Sequence, residues 1–161
     1  MTFGRLRKHA LMSSKIETIR AMLKTRPITS RGASIEAMRF NLDAMGDILI
    51  GDSSVTSKAE LIDTISSQWF YSRKIRNDSV LLYFHGGGYL LGSIKSHRAL
   101  LERLATATEG SVLAVDYRLA PENTFPAALN DALYAYRWLL KEGVKPRHIV
   151  IGETPLAEDS R

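Results

Sequence analysis

The chain has 161 residues, 45% of them hydrophobic, 24% charged and 8% aromatic, a balance that excludes disorder, collagen and coiled coil. Its length suits one domain or part of a larger one, and zero cysteines exclude a disulfide scaffold and a thiolate metal site. The net charge of +5 is uneven: residues 1–31 hold eight of the 22 bases and one of the 17 acids, so that segment is +7 and the remainder −2. No apolar run approaches the roughly 20 residues that span a bilayer. The basic stretch from Arg5 to His9 is not followed by the apolar core of a secretory signal, so a cytoplasmic protein is expected.

The basic segment has two readings. It is an arm for nucleic acid or an anionic membrane, or it is the solvated face of a helix whose other side carries Ile16, Ile19 and Leu23. Without aromatic or glycine interleaving the helix face is favoured, and no nucleic-acid partner is expected. Residues 14–25 then form an amphipathic helix, with Ser14 as N-cap and Glu17 completing a capping box, stopped at Arg26-Pro27. Met12 just before that cap makes it an alternative start to Met1.

Ser34 to Met45 reads as a second helix with Ile35, Met38, Leu42 and Met45 on one face and Gly46 as its stop. Ile48-Leu49-Ile50 and the mixed stretch Glu60 to Trp69 read as edge strands. Val80 to Phe84 is a buried strand that ends abruptly in three glycines. Ser96 to Thr108 is a helix with Ala99, Leu100, Arg103, Leu104 and Ala107 in register, and Val112 to Val115 a second buried strand. Ala127 to Lys141 is a long helix with Leu129, Leu133, Tyr136 and Leu140 on one side, and Ile149-Val150-Ile151 a third apolar strand. Alternating apolar strands and helices define an α/β chain with a parallel-rich sheet covered on both faces. Its sites belong at the C-terminal edge of the strands.

His85-Gly86-Gly87-Gly88-Tyr89 sits on that edge, directly after the first buried strand. Three glycines remove every β-carbon, so backbone N–H groups can turn into a cleft and approach a ligand closely. Three uses compete. Such donors stabilise an oxyanion in acyl transfer; they cradle a phosphate; or the run is a plain turn. A phosphate loop needs G-x-G-x-x-G opening a helix, or Lys-Ser/Thr after the glycines, whereas Tyr89-Leu90-Leu91 follows here.

From this motif onward the chain resembles the hormone-sensitive-lipase-like branch of the α/β-hydrolases, bacterial carboxylesterases with an HGGG motif. Gly92-Ser93, His97-Arg98, the block Val115 to Glu122, Phe125 to Ala128, Asp131, Arg137-Trp138-Leu139 and His148 to Gly152 extend the match over residues 80–152. The resemblance implies a partial α/β-hydrolase fold, with residues 1–45 as an N-terminal helical cap and 46–161 as the first part of the catalytic domain. It implies an oxyanion hole at Gly86, Gly87 and Gly88, in which Gly87 and Gly88 supply the N–H donors and Gly86 allows the turn, with His85 orienting the loop and Tyr89 lining the substrate pocket. Asp116, Arg118, Glu122 and Asp131 become buried polar scaffolding, and His97 and His148 structural histidines. The implied substrate is a small-molecule ester cleaved through a serine acyl-enzyme, with no metal and no organic cofactor.

In the resembled family the nucleophile elbow Gly-Asp-Ser-Ala-Gly-Gly follows a segment matching Ile149 to Gly152. This chain reads Glu153-Thr154-Pro155-Leu156-Ala157-Glu158-Asp159-Ser160-Arg161 instead. Ser160 has no flanking glycines. Serine, acid and base are therefore expected to be missing and the chain to be inactive alone. The tail can be encoded GAG ACT CCG CTG GCG GAA GAC TCG CG; one G placed in front gives GGA GAC TCC GCT GGC GGA AGA CTC GCG. That translates as Gly-Asp-Ser-Ala-Gly-Gly-Arg-Leu-Ala, which points to a single-base deletion after the codon for Gly152. The other readings are a non-catalytic acyl-binding or interaction fragment, and membrane attachment through residues 1–31, which would show as liposome binding lost at high salt. A chain cut before its elbow is also expected to expose the strand at 149–151 as an aggregation-prone edge.

Overall fold

The computed structural model describes residues 32–76 and 78–154, together with Glu17 and Ala21. The elements in order are helix α1 (Ile35–Ile48), strands β1 (Thr56–Ile62), β2 (Ile65–Tyr71) and β3 (Val80–Phe84), helix α2 (Ile94–Thr108), strand β4 (Ser111–Val115), helix α3 (Ala127–Lys141), a 3-10 turn at Pro146–His148 and strand β5 (Ile149–Glu153). The chain divides into two compact units, Met1–Asn41 and Leu42–Arg161. The helix expected at 14–25 lies outside the described residues apart from Glu17 and Ala21, both helical.

The five strands form one sheet in the order β1-β2-β4-β3-β5. β3 runs parallel to β4 and to β5, while β2 joins β4 antiparallel and β1 joins β2 as a hairpin. Side-chain alternation splits the core in two. Leu113 and Val115 of β4 pack with Val80, Leu82, Ala135 and Leu139 on the α3 side. Val112 and Ala114 pack with Phe70, Tyr83, Leu101 and Ala105 on the α2 side. Helices therefore cover both faces, the α/β layering expected from the apolar strands. The parallel register Phe84↔Val115 ends β3 and β4 level with each other, so the loops that follow them meet.

Several local expectations change. Gly46 does not stop α1, which runs on to Ile48. A β-carbon at Gly46 would collide with the Lys95 carbonyl and lie 2.7 Å from Ser96 Cα, so glycine here permits close approach to the start of α2. Ile48 ends this helix and Leu49-Ile50 form no strand; both are exposed. Glu60 to Trp69 is the heart of the β1–β2 hairpin, turning at Asp63 with φ 57°. In α2 Ala99 is buried as expected, but the other buried core positions are Leu101 and Ala105, one residue on from the expected Leu100 and Leu104, and Leu100 is 39% exposed. In α3 the buried stripe is Asp131, Ala135 and Leu139, and Leu129, Leu133 and Tyr134 face outward. Both helices carry two apolar stripes, and the one with small residues packs closest to the sheet.

β5 is the outermost described strand beside β3, and its Val150 and Ile151 are 54% and 62% exposed. An open strand edge with bare apolar side chains templates pairing with other chains, and lysine on such an edge opposes it. Replacing both residues with lysine is expected to raise the soluble fraction of the expressed chain severalfold, read by centrifugation and light scattering. An unchanged fraction would mean that the edge is not what aggregates.

Candidate functional site

The residues after β3 cannot continue a strand. Gly87 and Gly88 have φ 133° and 62°, Tyr89 follows at 61° and Gly92 at 91°. The N–H groups of Leu90 and Leu91 both donate to the Gly87 carbonyl, at 3.2 and 3.0 Å, closing the loop on itself. A β-carbon at Gly87 would run into the Leu91 carbonyl, so the turn requires glycine both for its backbone angle and for its space. Among the described residues no acceptor meets the N–H groups of Gly87 and Gly88.

The loop is anchored by His85, 4% exposed. Its Nδ1 donates to the Gly86 carbonyl at 3.2 Å, and its ring stacks on Tyr117 at 4.3 Å between centroids. Tyr117 donates its hydroxyl to the His85 carbonyl at 2.6 Å, and burial pushes that phenol up to about 12, so it stays a donor. Burial pulls the His85 imidazole down to about 4. His85 is therefore neutral near pH 7, and the Asp116 carboxylate 3.8 Å from its Nε2 forms no ion pair with it there. Asp116 instead accepts from the Ile94 N–H at 2.7 Å, and burial raises its carboxyl. Gly92 lies under the same ring, where a β-carbon would come within 2.6 Å of His85 Nδ1.

The segment after β4 makes the other wall. Ala120 N–H donates to the Tyr89 carbonyl at 2.8 Å, joining the two loops. Asp131, 3% exposed, takes the Arg118 guanidinium in a fork (Nε at 2.9 and 3.0 Å, Nη2 at 2.6 Å) and also the Arg118 backbone N–H at 2.9 Å. Asp131→Ala strands that N–H and is expected to cost about 1–3 kcal/mol in denaturant unfolding; a change within error would remove the latch from the argument. Of the four residues expected to be buried scaffold, Asp131 is buried, Asp116 half-buried and Arg118 half-exposed, while Glu122 is exposed on the turn. His148 sits in the 3-10 turn, where its Nε2 meets Arg147 Nε at 3.1 Å.

Between these walls lies a pocket of about 750 Å³. The glycines form one side, Tyr89, Phe125, Ala128 and Leu129 an apolar side, and Glu153 and Thr154 close the β5 end. Tyr83 shares a hydrogen bond with Thr154. His85, Gly86, Gly87, Gly88 and Tyr89 thus meet in one cleft, with Arg118 on its rim and Asp116, Asp131 and Glu122 outside its lining. Tyr117 and Phe125 also line the cleft; each lies in a segment that matches the resembled family, but neither residue type by itself marks a site in the sequence.

Residues 81–153 match the family model described as alpha/beta hydrolase fold. An acetyl-hydrolase of Streptomyces hygroscopicus is 36% identical over 155 residues, 93% of this chain and 48% of the relative. An ethyl acetate hydrolase of Pseudomonas putida is 52% identical over 64 residues, 40% of this chain and 20% of that protein. The crystal structure of an esterase from the bacterial hormone-sensitive lipase family superposes with TM-score 0.79 at 35% identity, covering 87% of this chain and 47% of the other. The chain carries part of the α/β-hydrolase fold and resembles the N-terminal half of hormone-sensitive-lipase-like esterases. It spans about half the length of the full-length relatives it matches. Among the described residues no helix is long and apolar enough to cross a membrane.

Proposed function

We propose that this chain is the N-terminal part of a carboxylic-ester hydrolase and carries its oxyanion hole. The observation that carries the reading is the pair of N–H groups at Gly87 and Gly88, which meet no acceptor among the described residues and are held at the pocket by a turn that requires glycine at position 87. An ester seated there would place its carbonyl oxygen on these donors. Attack by a serine oxygen would turn that oxygen into an oxyanion, and each donor aimed at it contributes about 3–4 kcal/mol to the barrier reduction. The alkoxide leaves as the alcohol, taking the proton that the catalytic base removed from the serine, and water then releases the acid from the acyl-enzyme. Gly86 lets the loop turn, His85 orients it, and Tyr89 lines the acyl or alcohol pocket. Residues 1–45 serve as the cap. Lack of cysteine fits a cytoplasmic setting.

We infer further that residues 153–161 are read one base out of step with the elbow, because one guanine placed before the codon for Glu153 lets the tail encode Gly-Asp-Ser-Ala-Gly-Gly. Sequencing the locus from the codon for Ile151 through several hundred bases tests this. The expected result is an elbow followed by an acid and a histidine in the neighbouring frame. No such frame would sink the frameshift and favour the second reading, a non-catalytic acyl-binding fragment, for which the apolar-walled pocket of about 750 Å³ already speaks.

A further inference from the structure

Behind the glycine loop lies a file of polar groups that the oxyanion reading does not use. Asp43 belongs to the part of α1 within the second unit, and it accepts a hydrogen bond from Ser93 Oγ. Ser93 is the residue at which the loop ends and α2 begins. Its Oγ accepts the Ser96 N–H at 3.0 Å and its own N–H donates to Ser96 Oγ at 2.9 Å, a reciprocal cap. Its carbonyl meets His97 Nδ1 at 3.2 Å, and the His97 ring stands 5.7 Å from that of His85. His85 in turn donates to the Gly86 carbonyl.

Ser93 has one hydroxyl hydrogen. Given to Asp43, it leaves the oxygen lone pairs turned to the Ser96 N–H. Without Asp43, the acceptor in reach among the described side chains is Ser96 Oγ at 3.4 Å, which already meets His97 Nδ1 at 2.9 Å. The cap and the histidine contact would then compete for one oxygen. We infer that Asp43 is a positioning residue for the glycine loop, acting through Ser93 to hold the turn that presents Gly87 and Gly88. This deepens the oxyanion reading and rests on it for its catalytic meaning.

Asp47 supplies the control. It lies one turn further along α1 and pairs with Lys95 Nζ at 3.0 Å, so it seats the same helix against α2 without touching Ser93. The test is amide hydrogen exchange by mass spectrometry on the 161-residue chain at low micromolar concentration. Asp43→Ala is expected to speed exchange at Leu90 and Leu91 about tenfold, as expected for one lost hydrogen bond. Amides of β4 should keep their rates. Asp43→Asn, whose carboxamide oxygen still accepts from Ser93, should restore the native rate, and Asp47→Ala should leave it unchanged. Unchanged loop exchange in Asp43→Ala, equal acceleration by Asp47→Ala, failure of Asp43→Asn to rescue, or acceleration throughout the sheet would each overturn the assignment. No ester enters the measurement, so it can fail while serine labelling upholds the oxyanion reading, or the reverse.

Discussion

A gene with one guanine inserted before the codon for Glu153 is expected to give a protein that reacts covalently with a fluorophosphonate, while the 161-residue chain stays unlabelled. The reagent modifies only a serine whose oxygen is activated by a neighbouring base, and the described residues that line the pocket include no serine. Glu153 and Thr154 stand where the restored frame puts the first glycine and the aspartate of the elbow. The restored protein should also hydrolyse short acyl esters. Within it, Gly87→Ala should lower kcat/KM by at least about 100-fold, the loss expected for one oxyanion donor, because its β-carbon has to displace the Leu91 carbonyl and with it the turn. Labelling should survive better than turnover, since the serine and its base are untouched. A restored protein that neither labels nor hydrolyses would remove the frameshift from the account, and Gly87→Ala turning over at the native rate would remove the oxyanion hole.

The parts of the structure legible in the sequence are those specified by local pattern. β3, β4 and β5 stand out as unbroken apolar runs, and α3 begins and ends where Ala127 and Lys141 mark it. The glycine run was legible because nothing but a tight, side-chain-free turn uses three glycines at a strand end. Less legible were features created by elements meeting. The β1–β2 hairpin hides in a polar stretch because β1 has one exposed face after another and only Ile62 fully buried. Gly46 resembles a helix stop, and only the backbone of Lys95 lying against it explains why the helix passes through. The apolar stripe of Leu129 and Leu133 resembles a core face, yet the sheet takes the side with Asp131 and Ala135, where small residues allow approach.

The site divides in the same way. His85 and the glycines announce themselves, while the partners that fix them come from elsewhere. Tyr117 reaches the His85 ring because β3 and β4 are parallel neighbours in register, which places the residue two after Val115 beside the residue after Phe84. Asp43 is 50 residues from Ser93 and carries no motif. Pairwise long-range contacts of this kind leave no periodicity to read, and a chain this short offers no internal repeat that would expose them.

Acidification offers the second large effect. His85 is held neutral, with its imidazole pulled to about 4 by burial against the Tyr117 ring. In the unfolded chain an imidazole titrates near 6.5. Above that pH both states are neutral and the fold keeps its full stability. As pH falls below 6.5 the unfolded chain takes up a proton that the folded chain refuses, so stability drops until the folded imidazole is itself protonated near 4. The gap between the two values corresponds to about 3 kcal/mol. His97, also lowered by burial, adds to the loss. Asp116 works against it, because its buried carboxyl prefers to be protonated. The urea midpoint of the chain bearing lysines at Val150 and Ile151 should therefore fall steeply between pH 6.5 and 4. His85→Asn in the same background, which keeps a donor near the Gly86 carbonyl but cannot titrate, should start lower at pH 7 and flatten the slope. Equal slopes with and without His85 would mean that the imidazole is reached by water and is not the buried anchor of the loop.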